Sequence, residues 1–335
     1  MGEHRELGLK AIDEARADRK RSKHGRISGK TWAVGGAAVL LIVFAAWMFK
    51  GSALSSGQEQ LLAQQRAAVK TVGGEWFPLR DRIEKMTVDA ANAAYPGDQV
   101  DPEVAKWDFR SAPGIYLRLR VEDAKNVESL RKHARDSAKD AFTACFLREK
   151  NPSIARMAKG EDAGTGWQDQ PWNLRLAYNA TYILSDDWVE EVKNTREEIN
   201  LRVYVQQYEN AKTREIPLTI DIVKKAEFYL FVLDEDVPEA KDLADGGKIT
   251  QAALQQVPHP ARVYVYDLKN DKLMVRLRRE GDADFRFAGE AAVRDPQVLA
   301  AMKRQVNNCS LAQSVLATIQ PTPSAETTTA DAGAP

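Results

Sequence analysis

Histidine is scarce in this 335-residue chain: four in all, with only His133 and His259 after residue 50. Few side chains are therefore suited by their ordinary pKa to proton transfer near neutral pH. Cysteine is scarcer still, with Cys145 and Cys309 separated by 164 positions. Two thiols do not make a zinc site by themselves and fit no Cys-x-x-Cys motif. Net charge is also lacking, since 48 Lys and Arg balance 48 Asp and Glu. No overall field draws in a polyanion, so nucleic acid is not an expected partner. There is no GxSxG, no HExxH, no complete P-loop and no GxGxxG between a strand and a helix. The segment Gly246-Gly247-Lys248-Ile249-Thr250 has the end of a P-loop without its leading glycine. No catalytic, cofactor-binding or metal-binding residue is assigned on these grounds.

One long apolar run is present. Trp32 to Phe49 holds eighteen residues without a charge. As a helix it spans about 27 Å, close to the roughly 30 Å of a bilayer core. Trp32 and Trp47 lie near its ends, where indole rings anchor at headgroups. Before it come Arg16, Arg19, Lys20, Arg21, Lys23, Arg26 and Lys30 against Asp18; after it Lys50 is the last base before Arg66. This asymmetry places the N-terminus in the cytoplasm and exports the rest. The run reads as an uncleaved signal-anchor through which the chain contacts the lipid bilayer. The short basic start and the Ala-, Pro- and Thr-rich end suit a Gram-negative inner-membrane protein with a periplasmic domain. Five segments follow: a basic tail (1–31), the transmembrane helix (32–49), a helical stalk (50–73), an exported domain (74–320) and a disordered tail (321–335).

In the stalk, Leu54, Gln58, Leu61, Gln65, Ala68 and Val72 alternate in four- and three-residue steps, a short coiled-coil seam. Ala33 and Ala37 add a small-xxx-small pair within the run. Together they permit a parallel homodimer, and Gly73-Gly74 is expected to end the helix. Export also sets the cysteines in an oxidising space, where two readings stand: a Cys145–Cys309 disulfide, or two buried thiols.

The domain reads as α+β, with a mostly antiparallel sheet packed against helices. GIYLRLRV alternates, with Ile115, Leu117 and Leu119 inward and Tyr116, Arg118 and Arg120 outward. A long helix is expected to follow it, up to Asn151-Pro152. Ser185 is an N-cap before Asp186 and Asp187. Residues 198–208 and 214–223 alternate like strands, and 226–236 is apolar on both faces like a central strand. The three are read as an antiparallel meander. ARVYVYDLKNDKLMVRLRRE is a hairpin about Lys269-Asn270-Asp271, and a final helix runs from about Pro296 to Thr318.

Functional candidates are sparse. The loop 158–173 carries Trp167 and Trp172, which either form a recognition surface or pin the loop to the core. Asp234-Glu235-Asp236 at a strand end is read first as a charged exit from the sheet, and second as a cation site. His259, between two prolines, is read as a surface residue rather than a general base. Arg118, Arg120, Arg276 and Arg278 suggest one basic sheet face. The leading expectation is a membrane-anchored, non-catalytic interaction or scaffold module with an unidentified protein partner. A tethered hydrolase and a ligand-sensing domain are the alternatives.

Overall fold

The computed structural model describes residues 29–137, 141–147, 171–243, 245–281 and 295–321, without the side chains of 29–53. The basic tail, Trp167 and residues 322–335 lie outside the described residues. Among the described residues no helix is long and apolar enough to cross a membrane. The run 32–49 falls within the stretch whose side chains are outside them.

Helix α1 (Gly29–Asn92) is a single 64-residue helix, so the expected break at Gly73-Gly74 does not occur. Each glycine costs about 1 kcal/mol relative to alanine. Packing outweighs that cost, because Ala68, Trp76, Ile83 and Ala90 on one face are buried in the core. The stalk stripe joins the same face. Leu61, Gln65 and Ala68 are buried, Leu54 and Val72 pack against the core, and Gln58 donates to the carbonyls of Val192 and Thr195. The stalk is therefore a wall of the domain, and a second copy has no access to its three buried seam residues.

After α1 come β1 (Gln99–Val100), β2 (Gly114–Arg120), α2 (Val121–Ala124), α3 (Val127–Ala134) and α4 (Ala141–Phe146). Three short helices thus stand where one long one was expected. Asn126 ends the first of them by capping Ser129 N at the start of α3. Strand β3 (Trp172–Asn173) leads into α5 (Arg175–Ala180), α6 (Asp186–Asn194) with Ser185 as its N-cap, α7 (Glu198–Asn210) and α8 (Ile216–Lys225). A π turn, Ala211–Glu215, joins the last two. Then follow β4 (Phe228–Asp234), α9 (Gln251–Leu254), β5 (Pro260–Asp267), β6 (Lys272–Glu280) and α10 (Pro296–Ile319).

The architecture is α+β, and the sheet is mixed rather than mostly antiparallel. Its order is β1-β6-β5-β4-β2-β3, with β2 parallel to both β3 and β4 and the other pairs antiparallel. The expected meander fails because 198–225 is helical. The two-residue alternation there coexists with a helical one: Ile216, Thr219, Ile220 and Val223 are buried at i, i+3, i+4 and i+7, and Pro217 suits a first helical turn. Once those segments are helices, the chain returns to the sheet parallel to β2.

Helices cover both faces. Ile115, Leu117, Tyr229 and Phe231 meet α1 and α5–α8; Tyr116, Phe228, Leu230 and Val263 meet α4 and α10. Both faces of β2 are buried, contrary to the half-exposed strand expected. Gly114 shows how tight the second layer is, since an added Cβ would collide with the tip of the Phe228 ring. Gly114→Ala is expected to cost at least about 1–3 kcal/mol through overpacking. Urea unfolding checks it, and an unchanged midpoint would contradict this packing.

Candidate functional site

The carboxyl ends of parallel neighbours β2 and β4 are where open sheets commonly place chemistry. Here they bring together residues distant in sequence. Asp234, the last residue of β4, is fully buried, and Arg118 is 1% exposed. The guanidinium forks onto the carboxylate, with Nε to Oδ2 at 2.7 Å and Nη2 to Oδ1 at 2.8 Å. Its Nη1 donates to Asn308 Oδ1 of α10 at 2.7 Å. Gln251 of α9 donates to Asp234 Oδ2. His259 Nε2 lies 3.0 Å from Asp234 Oδ1, and its Nδ1 lies 2.8 Å from the Val257 carbonyl.

Burial pushes the Asp234 carboxyl up, but the charges and hydrogen bonds of Arg118 and His259 outweigh it and hold the group well below the usual carboxylate range. The folded value being lower, the unfolded chain binds the extra proton first. This contribution is complete above the ordinary carboxylate pKa of about 3.9 and is lost as pH falls below it. The urea midpoint should accordingly drop between about pH 5 and pH 3. A flat profile would contradict the pairing.

The expected surface positions of His259, Arg118 and Arg120 are thus corrected. For Arg118 and Arg120 the reason is that alternation in β2 implies one wet face, whereas a fully apolar β4 beside it implies two dry ones; His259 is drawn inside by Asp234. The single basic face is also corrected. Arg118 and Arg120 lie on the α10 side of the sheet, while Arg276 and Arg278 share the α1 side with Tyr264 and Arg262. Arg278 pairs with Glu235 at 2.7 Å, and Arg120 Nε lies 3.2 Å from Asp236. Glu235 also accepts from Arg262 Nε at 2.7 Å, on the α1 side of the sheet and away from Asp234. Among the described residues no group of His, Cys, Asp and Glu could hold a metal ion.

The Asp234–His259 contact has the form of the orienting half of a catalytic triad. The nitrogen that should face a nucleophile instead faces Val257 O. The neighbouring Ser137 hydroxyl donates to Arg118 O at 3.0 Å. Both proton-carrying groups are therefore engaged by the fold itself.

An open site lies elsewhere. A cleft of about 490 Å³ separates Tyr182 and α6 from α7 and the π turn. Ser185 fixes one wall by capping Trp188 N, which seats the Trp188 ring at 1% exposure against Tyr204, edge to face at 6.0 Å. Arg135, just after α3, lays its guanidinium 3.3 Å above the Tyr182 ring. Burial, with the 2.6 Å hydrogen bond to Glu191, pushes the Tyr182 phenol up to about 12, so it stays a donor. Asn200, Val203, Tyr204 and Gln207 of α7 form the opposite wall. Trp188 Nε1 and Arg135 Nε are closed off from solvent and have no hydrogen-bond partner, so neither nitrogen opens into the cleft. None of these residues was singled out from the sequence. The one available signal was the capped helix start at Ser185, which placed Trp188 in a first turn.

Trp172 lies on β3, paired with Ile115 and half-buried against the core. Cys145 on α4 and Cys309 on α10 are joined by a disulfide, their Cα atoms 5.1 Å apart. Comparison with known proteins returns no matching family model, no matching curated protein and no matching solved structure.

Proposed function

We propose that this chain is a membrane-anchored, non-catalytic interaction module. Its N-terminus is cytoplasmic, its domain is exported, and the cleft between Tyr182 and α7 is its binding face. The observation that carries the choice of binding over catalysis is the hydrogen bonding of His259. Both ring nitrogens meet acceptors inside the fold, which leaves neither to exchange a proton with a substrate. Two further features support the location. The charge-free run 32–49 with its basic flank is the pattern of an N-in anchor. The Cys145–Cys309 disulfide suits an oxidising compartment.

The reading is tested by topology. In spheroplasts, added protease should remove the domain and leave a tagged N-terminus protected; inside-out vesicles should reverse the pattern. The opposite pattern, or release of the chain by alkaline carbonate, would reject the anchor.

A further inference from the structure

We infer that the corner where α6 turns into α7 rests on the bilayer surface, with Ile199 reaching into the headgroup layer. This rests on the anchor reading and goes beyond it by giving the exported domain a lipid-facing end. The first ground is register along α1. Gln58 holds the end of α6 through the carbonyls of Val192 and Thr195, at 2.8 and 2.9 Å. A Cβ on Gly57 would come within 2.9 Å of Leu201 Cδ2. One heptad further along each helix, the Tyr208 hydroxyl donates to Gln64 O at 2.8 Å. Equal steps on both helices mean that α7 runs beside α1 in the same direction. The N-terminal end of α7 therefore points back toward the apolar run.

The second ground is distance. Ile199, just before Leu201, stands level with about residue 55 of α1. The apolar run closes at Phe49, about 9 Å back along a helix that is continuous through the interval. A headgroup layer is about 5–8 Å deep on each side of the hydrocarbon core. A spanning helix tilted by about 20° toward α7 lowers a neighbour packed about 9 Å to its side by about 3 Å. Helical side chains also lean toward the N-terminus, so those in the first turn of α7 lean toward the lipid.

The third ground is the surface itself. Ile199 is 67% exposed, the most exposed large apolar side chain among the described residues. Glu198 and Arg202 pair with each other at 2.6 Å. Arg196 makes no ion pair among the described residues, and the Glu197 carboxylate takes only Asn200 Nδ2, at 3.4 Å. One open cation beside one open anion suits the phosphate and ammonium of zwitterionic lipid.

The test places single cysteines on the full chain in phosphatidylcholine nanodiscs. Cys145 and Cys309 are joined, so the introduced thiol alone takes an environment-sensitive fluorophore. Ile199→Cys carries the label at the corner, and Ile42→Cys reports the anchor. Leu218→Cys, 41% exposed on α8, is the water control: Lys224 pairs with Glu75, which puts Leu218 about 30 Å beyond Phe49. With a nitroxide on the lipid headgroup, emission at 199 should fall about twofold and lie to the blue of that at 218, which keeps its intensity. Arg196→Cys repeats the measurement at a second exposed site if Ile199→Cys folds poorly. Labels at 199 and 196 that behave like 218, while 42 is quenched by an acyl-chain nitroxide, would overturn the contact and leave the anchor standing. A label at 42 untouched by that nitroxide would reject anchor and contact together.

Discussion

Replacing Arg118 by Met should lower the unfolding free energy by about 3–5 kcal/mol, because it leaves the Asp234 carboxylate buried with its principal counter-charge gone. Asp234 is fully buried, so water cannot take over the two lost hydrogen bonds. His259 and Gln251 remain on the carboxylate but do not replace a forked guanidinium. Asn308 also loses its donor on α10. The double variant Arg118→Met, Asp234→Leu should cost clearly less than the sum of the single changes, since removing both ions removes the stranded charge. Urea unfolding of the four proteins measures this coupling. A loss below about 1 kcal/mol for Arg118→Met, as for an exposed ion pair, would refute the assignment.

The second large effect is expected at the disulfide. Substituting both cysteines by serine should lower stability by up to about 5 kcal/mol, from the entropy of a loop closed across 164 positions. The local consequence is more specific. Helix α4 has six residues, too few to be stable alone, and Phe142 and Phe146 pack it into the core beside α10. Without the cross-link, amide exchange over 141–147 should rise well before the rest of the domain unfolds. Asn308 adjoins Cys309, so exchange around Arg118 should rise next. Identical exchange and identical urea midpoints with and without reductant would show that the bond contributes nothing.

The elements legible in sequence were those whose local pattern and tertiary environment agree. The hairpin about Asn270 has turn residues between two alternating runs, and Asp267 caps the turn by accepting from Lys269 N and Asn270 N. Strand β4 is apolar throughout because both its faces are covered. Ser185 caps α6 through its own side chain. Patterns with two meanings were lost. Ile199, Leu201, Val203 and Val205 alternate like a strand, yet only Leu201 of the four is buried, and it shares its face with Tyr208 one heptad on. The other three are exposed, and of them Val203 lines the cleft.

The ionic centre was illegible for another reason. Arg118 and Asp234 are 116 positions apart, and their meeting depends on β2 and β4 being parallel neighbours. An antiparallel meander would have sent the end of β4 to the opposite edge. Arginine in a strand is ordinarily read as facing solvent. What distinguishes this one is a partner that no local window contains.

Helix α1 has a mechanical consequence. It runs without interruption from Gly29 to Asn92, about 96 Å at 1.5 Å per residue, and it is built into the core from Leu54 onward. Among the described residues no joint separates the two halves, so the domain cannot swivel on a tether as a flexibly linked module does. Whatever grips residues 29–53 sets the compass bearing of the cleft. A force on the domain is passed to that segment through one continuous helix, with little slack to absorb it.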